Sequence, residues 1–250
     1  TSNNYSITFV DGTLTVAQKE ASISWSNTLF TYNGTAQKPT ATVLNRVGND
    51  VCTVTVSGEQ TNAGSSYIAT ATALSNANYK LPTTPPTQTF KINKASLTIT
   101  ANDNAITYGD LPTGNGVTYS GFVNNETASV LGGTLGYTFS YAQYGNVGNN
   151  YIIVPNGLTS NNYRITFLQG TLTVAQKEAT LSWTNTALTY NGTPQKPTAT
   201  VSNLVNNDYC VVAVSGEQTN ASATAYTATA TAFNNSNYKL PTADADKQTS

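Results

Sequence analysis

The sequence predicts an all-β chain of small sandwiches in tandem, and three observations carry that reading. Thr, Asn, Ser, Ala and Gly dominate, Leu is scarce, Met and His are absent, and only 9% of residues are charged. Thr, Val, Ile and Tyr favour pleated strands, while Asn, Gly and Pro punctuate turns. No stretch of ten or more residues has a helical apolar period, whereas runs such as Thr13-Leu14-Thr15-Val16 and Cys52-Thr53-Val54-Thr55-Val56 alternate strictly. Long segments also recur. Ser2–Trp25 returns as Ser160–Trp183, and Tyr32–Val43 returns as Tyr190–Val201 with eleven of twelve residues identical. Val56–Ala63 and Asn78–Thr83 return as Val214–Ala221 and Asn237–Thr242.

The period of 158 residues is too long for one solenoid unit and resolves into two smaller parts. Residues 21–93 and 95–174 share an alternating opening strand, a Tyr-containing second strand and an Asn-Tyr element before the last strand. The predicted organisation therefore has four pieces. Residues 1–16 read as the last strands of a preceding module, 21–93 as one sandwich, 95–174 as a second type, and 179–250 as a second copy of the first. That second copy reads as lacking its last strand, because it stops where the first copy begins Gln88–Ile92.

Taken in order, alternation and turn signals predict strands at Ser22–Trp25, Phe30–Tyr32, Thr40–Val43, Val51–Ser57, Ser66–Leu74 and Phe90–Ile92. In 95–174 they fall at Leu97–Thr100, Ile106–Tyr108, Val117–Ser120, Gly133–Tyr141, Asn150–Val154, Tyr163–Phe167 and Thr171–Val174. Six or seven short strands in such a span match an immunoglobulin-like sandwich of reduced size. The joints at 16–21 and 91–95 contain neither Gly nor Pro, so one module's last strand almost runs into the next module's first. Modules of this size in line would make an elongated array, a rod of about 90–110 Å.

Charge and composition exclude several classes of function. A net charge of -1 leaves no electrostatic footprint for nucleic acid, and no run of 18 apolar residues predicts membrane insertion. Without His, acid–base chemistry would fall to scattered carboxylates that sit in turns, so no catalytic residue, cofactor or metal site is predicted. Asn102-Asp103-Asn104 with Asp110 is an oxygen-rich cluster that reads first as an exposed turn. Cys52 and Cys210 read as isolated thiols. Lys38 and Lys80 would permit a Lys–Asn isopeptide bond on paper, but both read as solvent-facing. Tyr32-Asn33-Gly34-Thr35 has a turn reading, since Asn-Gly supplies positive φ. Trp25 and Trp183 read as core residues, and Tyr79 and Tyr238 as tethers for the loop before the last strand. The candidate binding residues are Tyr119, Tyr137, Tyr141 and Tyr144, in the most aromatic part of the chain and outside the copied segments.

Residues 95–112, 121–133 and 160–174 resemble MBG-type domains in the variant with a Tyr-Gly signature, here Tyr108-Gly109-Asp110, Asn125-Glu126-Thr127 and Gly170-Thr171-Leu172-Thr173-Val174. Residues 2–16 resemble the end of another such module. The modules at 21–93 and from 179 are similar to the Y-N-G-x-x-Q-K-P repeats found beside them in large secreted or cell-wall-anchored proteins. The resemblance implies a bacterial surface protein of adhesin type, extracellular, with no catalytic residues to carry over. The expected role is a semi-rigid stalk whose partners are neighbouring domains of a longer chain. The alternative is an adhesin-like module that binds glycan or a host protein through the Tyr-rich face of 95–174.

Overall fold

The computed structural model describes residues 3–250; the first two positions of the 1–16 segment lie outside the described residues. The chain is almost entirely β, in several small sheets that resemble tandem immunoglobulin-like sandwiches, and its only helices among the described residues are two short 3₁₀ turns. By contact it divides into two compact units. The first holds residues up to 96 together with 121–130 and 160–164, and the second holds 97–120, 131–159 and 165–250.

In the first unit, Ile23–Ser26 pairs with Thr40–Val43, and a four-stranded sheet runs Leu29–Thr31, Thr87–Asn93, Gly64–Leu74, Val54–Ser57. Alternation decides which side chains enter the core. Ala41 and Val43, Ala69 and Ala71, Phe90 and Ile92 are buried, and the Thr and Lys between them face outward. The second strand, Leu29–Thr31, runs parallel to the last, with Leu29 opposite Lys91 and Thr31 opposite Asn93. Residues 3–18 belong to no strand, and Phe9, Leu14 and Val16 are exposed there.

The second unit repeats the plan. A four-stranded sheet runs Asn104–Thr107, Gly170–Ala175, Gly148–Thr159, Gly132–Phe139, and its first pair is again parallel. A three-stranded sheet has Ala95–Ala101 between Val117–Ser120 and Tyr163–Leu168. Further along, Leu181–Thr184 pairs with Thr198–Val201, and Ala228–Phe233 lies between Val212–Ser215 and Gln248–Thr249. One core cluster joins Ala101, Tyr108, Ile153, Leu172 and Val174 to Ala179, Val201 and Tyr238, so the 174–179 joint does not separate two cores.

Three departures from the predicted elements have physical causes. The strand predicted at Asn150–Val154 runs from Gly148 to Thr159 and passes through Pro155. Its ladder to Gly170–Ala175 ends at Ile153, so the proline sits where one flank is already free of a neighbour and the lost donor matters little. The joints form two-residue parallel strands, Lys19–Glu20 with Tyr79–Lys80 and Lys177–Glu178 with Tyr238–Lys239, which dock each joint on the module it enters. Finally, 187–190 forms no strand, unlike Leu29–Thr31. In the first copy that strand exists by pairing with Lys91–Asn93, and Gln248–Thr249 supplies only the equivalent of Thr87-Gln88.

Candidate functional site

The most structured polar feature is a carboxylate held by two tyrosines, and it occurs in each unit. In the first, Tyr32 and Tyr163 each donate to Glu126, at 2.5 Å to its two oxygens. In the second, Tyr108 and Tyr238 both donate to Asp208 Oδ2 at 2.8 Å. The rings of each pair meet edge to face, with centroids 5.4 Å and 5.6 Å apart. All four tyrosines are buried.

Local sequence builds each part. The acid ends a tight turn, Val123-Asn124-Asn125-Glu126 or Val205-Asn206-Asn207-Asp208, closed by the backbone N–H of the acid donating to the valine carbonyl. Both central asparagines have φ between 51° and 58°, the left-handed pair of a type I′ turn, which Asn tolerates. The valine N–H donates to the same phenol that holds the acid, Tyr163 or Tyr238. The first copy carries half of this arrangement: Tyr79 donates to Asp50 at 2.8 Å and accepts from Val47 N–H. Tyr79 and Tyr238 therefore tether the loop after the third predicted strand, and not the one before the last strand as the sequence suggested.

A neighbouring asparagine closes each clasp. Asn162 accepts from Ala63 N–H and donates to Asn62 Oδ1, and Asn237 accepts from Val147 N–H and donates to Asn146 Oδ1. The phenols are held neutral. Burial, then the bond to Asp208, pushes Tyr108 up to about 12, and burial with Glu126 does the same for Tyr163. Tyr238 rises to about 12 and Tyr32 rises as well, again chiefly through burial. A neutral phenol donating to a carboxylate is a stable charge-assisted bond, suited to holding chain segments together.

The repeated Tyr-Asn-Gly-Thr segment is turn chemistry. Asn33 Oδ1 accepts from Thr35 N–H and Oγ, and Asn191 does the same for Thr193. Two copied motifs also face each other. Gln37 bridges Gln60, Lys38 Nζ donates to the Val56 carbonyl and lies 3.5 Å from Glu59, and Gln195, Lys196, Val214 and Glu217 repeat this. Their separation in sequence hid the pairing. Asp110 is a turn acceptor, taking Thr107 N–H three residues away, whereas Asp103 accepts from Thr171 N–H at the start of the strand Gly170–Ala175. Among the described residues no group of three or more His, Cys, Asp or Glu could hold a metal ion. Cys52 and Cys210 are free thiols.

The four candidate tyrosines are placed differently. Tyr141 is buried against Tyr151, Tyr137 is half-buried on the same core beside Phe139, Tyr119 is half-buried on Val117–Ser120, and Tyr144 is exposed with φ +67°. No helix among the described residues is long and apolar enough to cross a membrane.

No curated protein and no solved structure matches the chain. The segment 97–173, which contributes Tyr108, Glu126 and Tyr163 to the two clasps, matches the family model described as MBG domain (YGX type).

Proposed function

We propose that the chain is a non-catalytic spacer from a bacterial surface or secreted protein, in which sandwiches at 21–93, 95–174 and 179–250 follow the tail of another at 1–16. The observation that carries this reading is the clasp, repeated with the same parts where consecutive sandwiches meet. Each clasp ties a tyrosine at the end of one sandwich's second strand to an acid and a tyrosine of the next, across 94 and 100 residues of chain. Buried, neutral phenols bound to a carboxylate resist bending better than a free linker would. The match of 97–173 to the MBG domain (YGX type) supports the surface setting through the resemblance to bacterial surface repeats noted in the sequence. Neighbouring domains of a longer chain are the partners this role requires.

The test is backbone ¹⁵N relaxation of the 250-residue chain. Correlation times of the three sandwiches should agree in the parent and diverge in a Tyr32→Phe/Tyr108→Phe double variant whose sandwiches keep their chemical shifts. Independent tumbling in the parent overturns the spacer reading.

A second reading, binding of glycan or host protein through Tyr119, Tyr137, Tyr141 and Tyr144, draws on one observation. Tyr144 is held exposed at φ +67°, a costly conformation for a bulky residue. Glycan-array binding by the intact chain that Tyr144→Ala abolishes would establish it.

A further inference from the structure

Gly132–Phe139 is the outermost strand of its four-stranded sheet, bonded to Gly148–Thr159 on one side only. Register fixes which of its backbone groups are free. Ser140 N–H donates to the Ile152 carbonyl and Thr138 lies opposite Val154, so the groups of 138 and 140 point into the sheet. Those of Tyr137 and Phe139 therefore point out of the open edge, since bonded and unbonded pairs alternate along an antiparallel ladder. The sheet lies in the middle of the chain with all four strands formed, so this edge is a property of the sheet itself.

The equivalent edges elsewhere in the chain are closed. Val54–Ser57 is also outermost in its sheet, but the Val56 carbonyl accepts from Lys38 Nζ at 2.8 Å, and the bridges Gln37–Gln60 and Thr42–Thr53 cover its two ends. Val212–Ser215 is closed in the same way by Lys196, Gln195–Gln218 and Thr200–Val211. Beside Gly132–Phe139 no such bridge occurs among the described residues, and no charged residue stands between Glu126 and Arg164. An edge strand of eight residues with neither charge nor proline is the kind that folded proteins normally blunt. Its one irregularity, the register shift between Gly133 and Gly136, leaves 136–140 regular.

We infer that this edge is a self-association surface, on which Gly132–Phe139 of one copy pairs antiparallel with the same strand of a second copy about a twofold axis at Thr138. What selects a second copy is self-complementarity. In that register Tyr137 and Phe139 exchange backbone bonds with Phe139 and Tyr137 of the second copy, which satisfies the outward N–H and C=O of both residues. On the core-facing side a half-buried Tyr137 ring meets a half-buried Phe139 ring, and on the wet side exposed Thr138 meets Thr138. Aromatic pairs and Thr–Thr pairs are favoured cross-strand neighbours. The uncharged stretch lets the two edges approach without bringing like charges together. Such a contact is isologous, so it closes at a dimer. The inference is separate from the spacer reading, because it concerns one sheet and no joint between sandwiches.

Sedimentation equilibrium of the 250-residue chain tests it. The expected result is a reversible monomer–dimer equilibrium that stops at the dimer. Thr138→Lys sets two like charges face to face on the axis and should weaken dimerisation about tenfold or more. The side chain is exposed, so circular dichroism should show the fold unchanged. Thr55→Lys, exposed on the closed edge, should leave the dimer as it is. Register has its own check. Across the axis the two Thr138 Cα atoms would stand about 4.5 Å apart, within disulfide reach. In a Cys52→Ala/Cys210→Ala background, Thr138→Cys should therefore give a covalent dimer on mild oxidation, and Thr134→Cys should not. A chain that stays monomeric up to millimolar concentration overturns the proposal and leaves the edge to an extended segment of another protein. A dimer that survives Thr138→Lys, or that is locked by Thr134→Cys in place of Thr138→Cys, overturns it as well.

Discussion

At the residue scale, the clasp carboxylates and the turn glycines make the sharpest predictions. Glu126→Ala leaves two buried phenols without their acceptor and should cost about 2–4 kcal/mol in chemical denaturation. Tyr163→Phe removes both the bond to the Glu126 carboxylate and the acceptor of Val123 N–H, and should cost at least about 1.5–3 kcal/mol. Alkali gives a further check. Tyr108, Tyr163 and Tyr238 sit near 12 when folded against about 10 when unfolded, so the folded state favours their neutral form. The stability they supply is whole below pH 10 and is lost as pH rises through 12. Phenolate absorbance should accordingly show a late step that coincides with loss of β-sheet signal. Gly34 and Gly192 occupy the same place in the two copied turns, at φ +76° and +79°, but differ in surroundings. A Cβ at Gly34 would lie 2.5 Å from Asn124 Cβ, and at Gly192 it would meet nothing within 4 Å. Gly192→Ala should cost about 1–2 kcal/mol from backbone strain alone, and Gly34→Ala measurably more.

At the element scale, the fold was legible because it is local. Alternation in Thr40–Val43, Gly64–Leu74 and Gly170–Ala175 is enough to name the inward residues, and the copied segments give the phase. The clasps were not legible, for a matching reason. The scattered carboxylates read only as turn residues, which Asp50, Glu126 and Asp208 are in the structure, but the partners of these three lie 29 to 100 residues away and no local pattern announces them. The available signal was the recurrence of Val-x-Asn-acid in both sandwich types, each followed by Asn-Tyr. The candidate binding tyrosines show the converse. Aromatic density drew attention to Tyr137 and Tyr141, yet alternation along Gly132–Phe139 turns Tyr137 toward the core, and Tyr141 is buried just beyond it. The turn that bears Glu126 can be tested as an element. Replacing Asn124-Asn125 by Ala-Ala should lower stability by about 2–4 kcal/mol, since each alanine must take positive φ, whereas Gly-Gly should preserve the fold.

At the scale of the whole molecule, the parallel pairing of second and last strands decides how a sandwich meets tension. Leu29–Thr31 beside Lys91–Asn93, and Asn104–Thr107 beside Leu172–Ala175, point the same way. A pull on the two ends of a sandwich draws one strand back toward its start and the other forward toward its finish. The ladder is then sheared, with its hydrogen bonds loaded together, where an antiparallel hairpin would unzip one bond at a time. The short second strand, three or four residues long, becomes a mechanical latch whose strength depends on the last strand beside it.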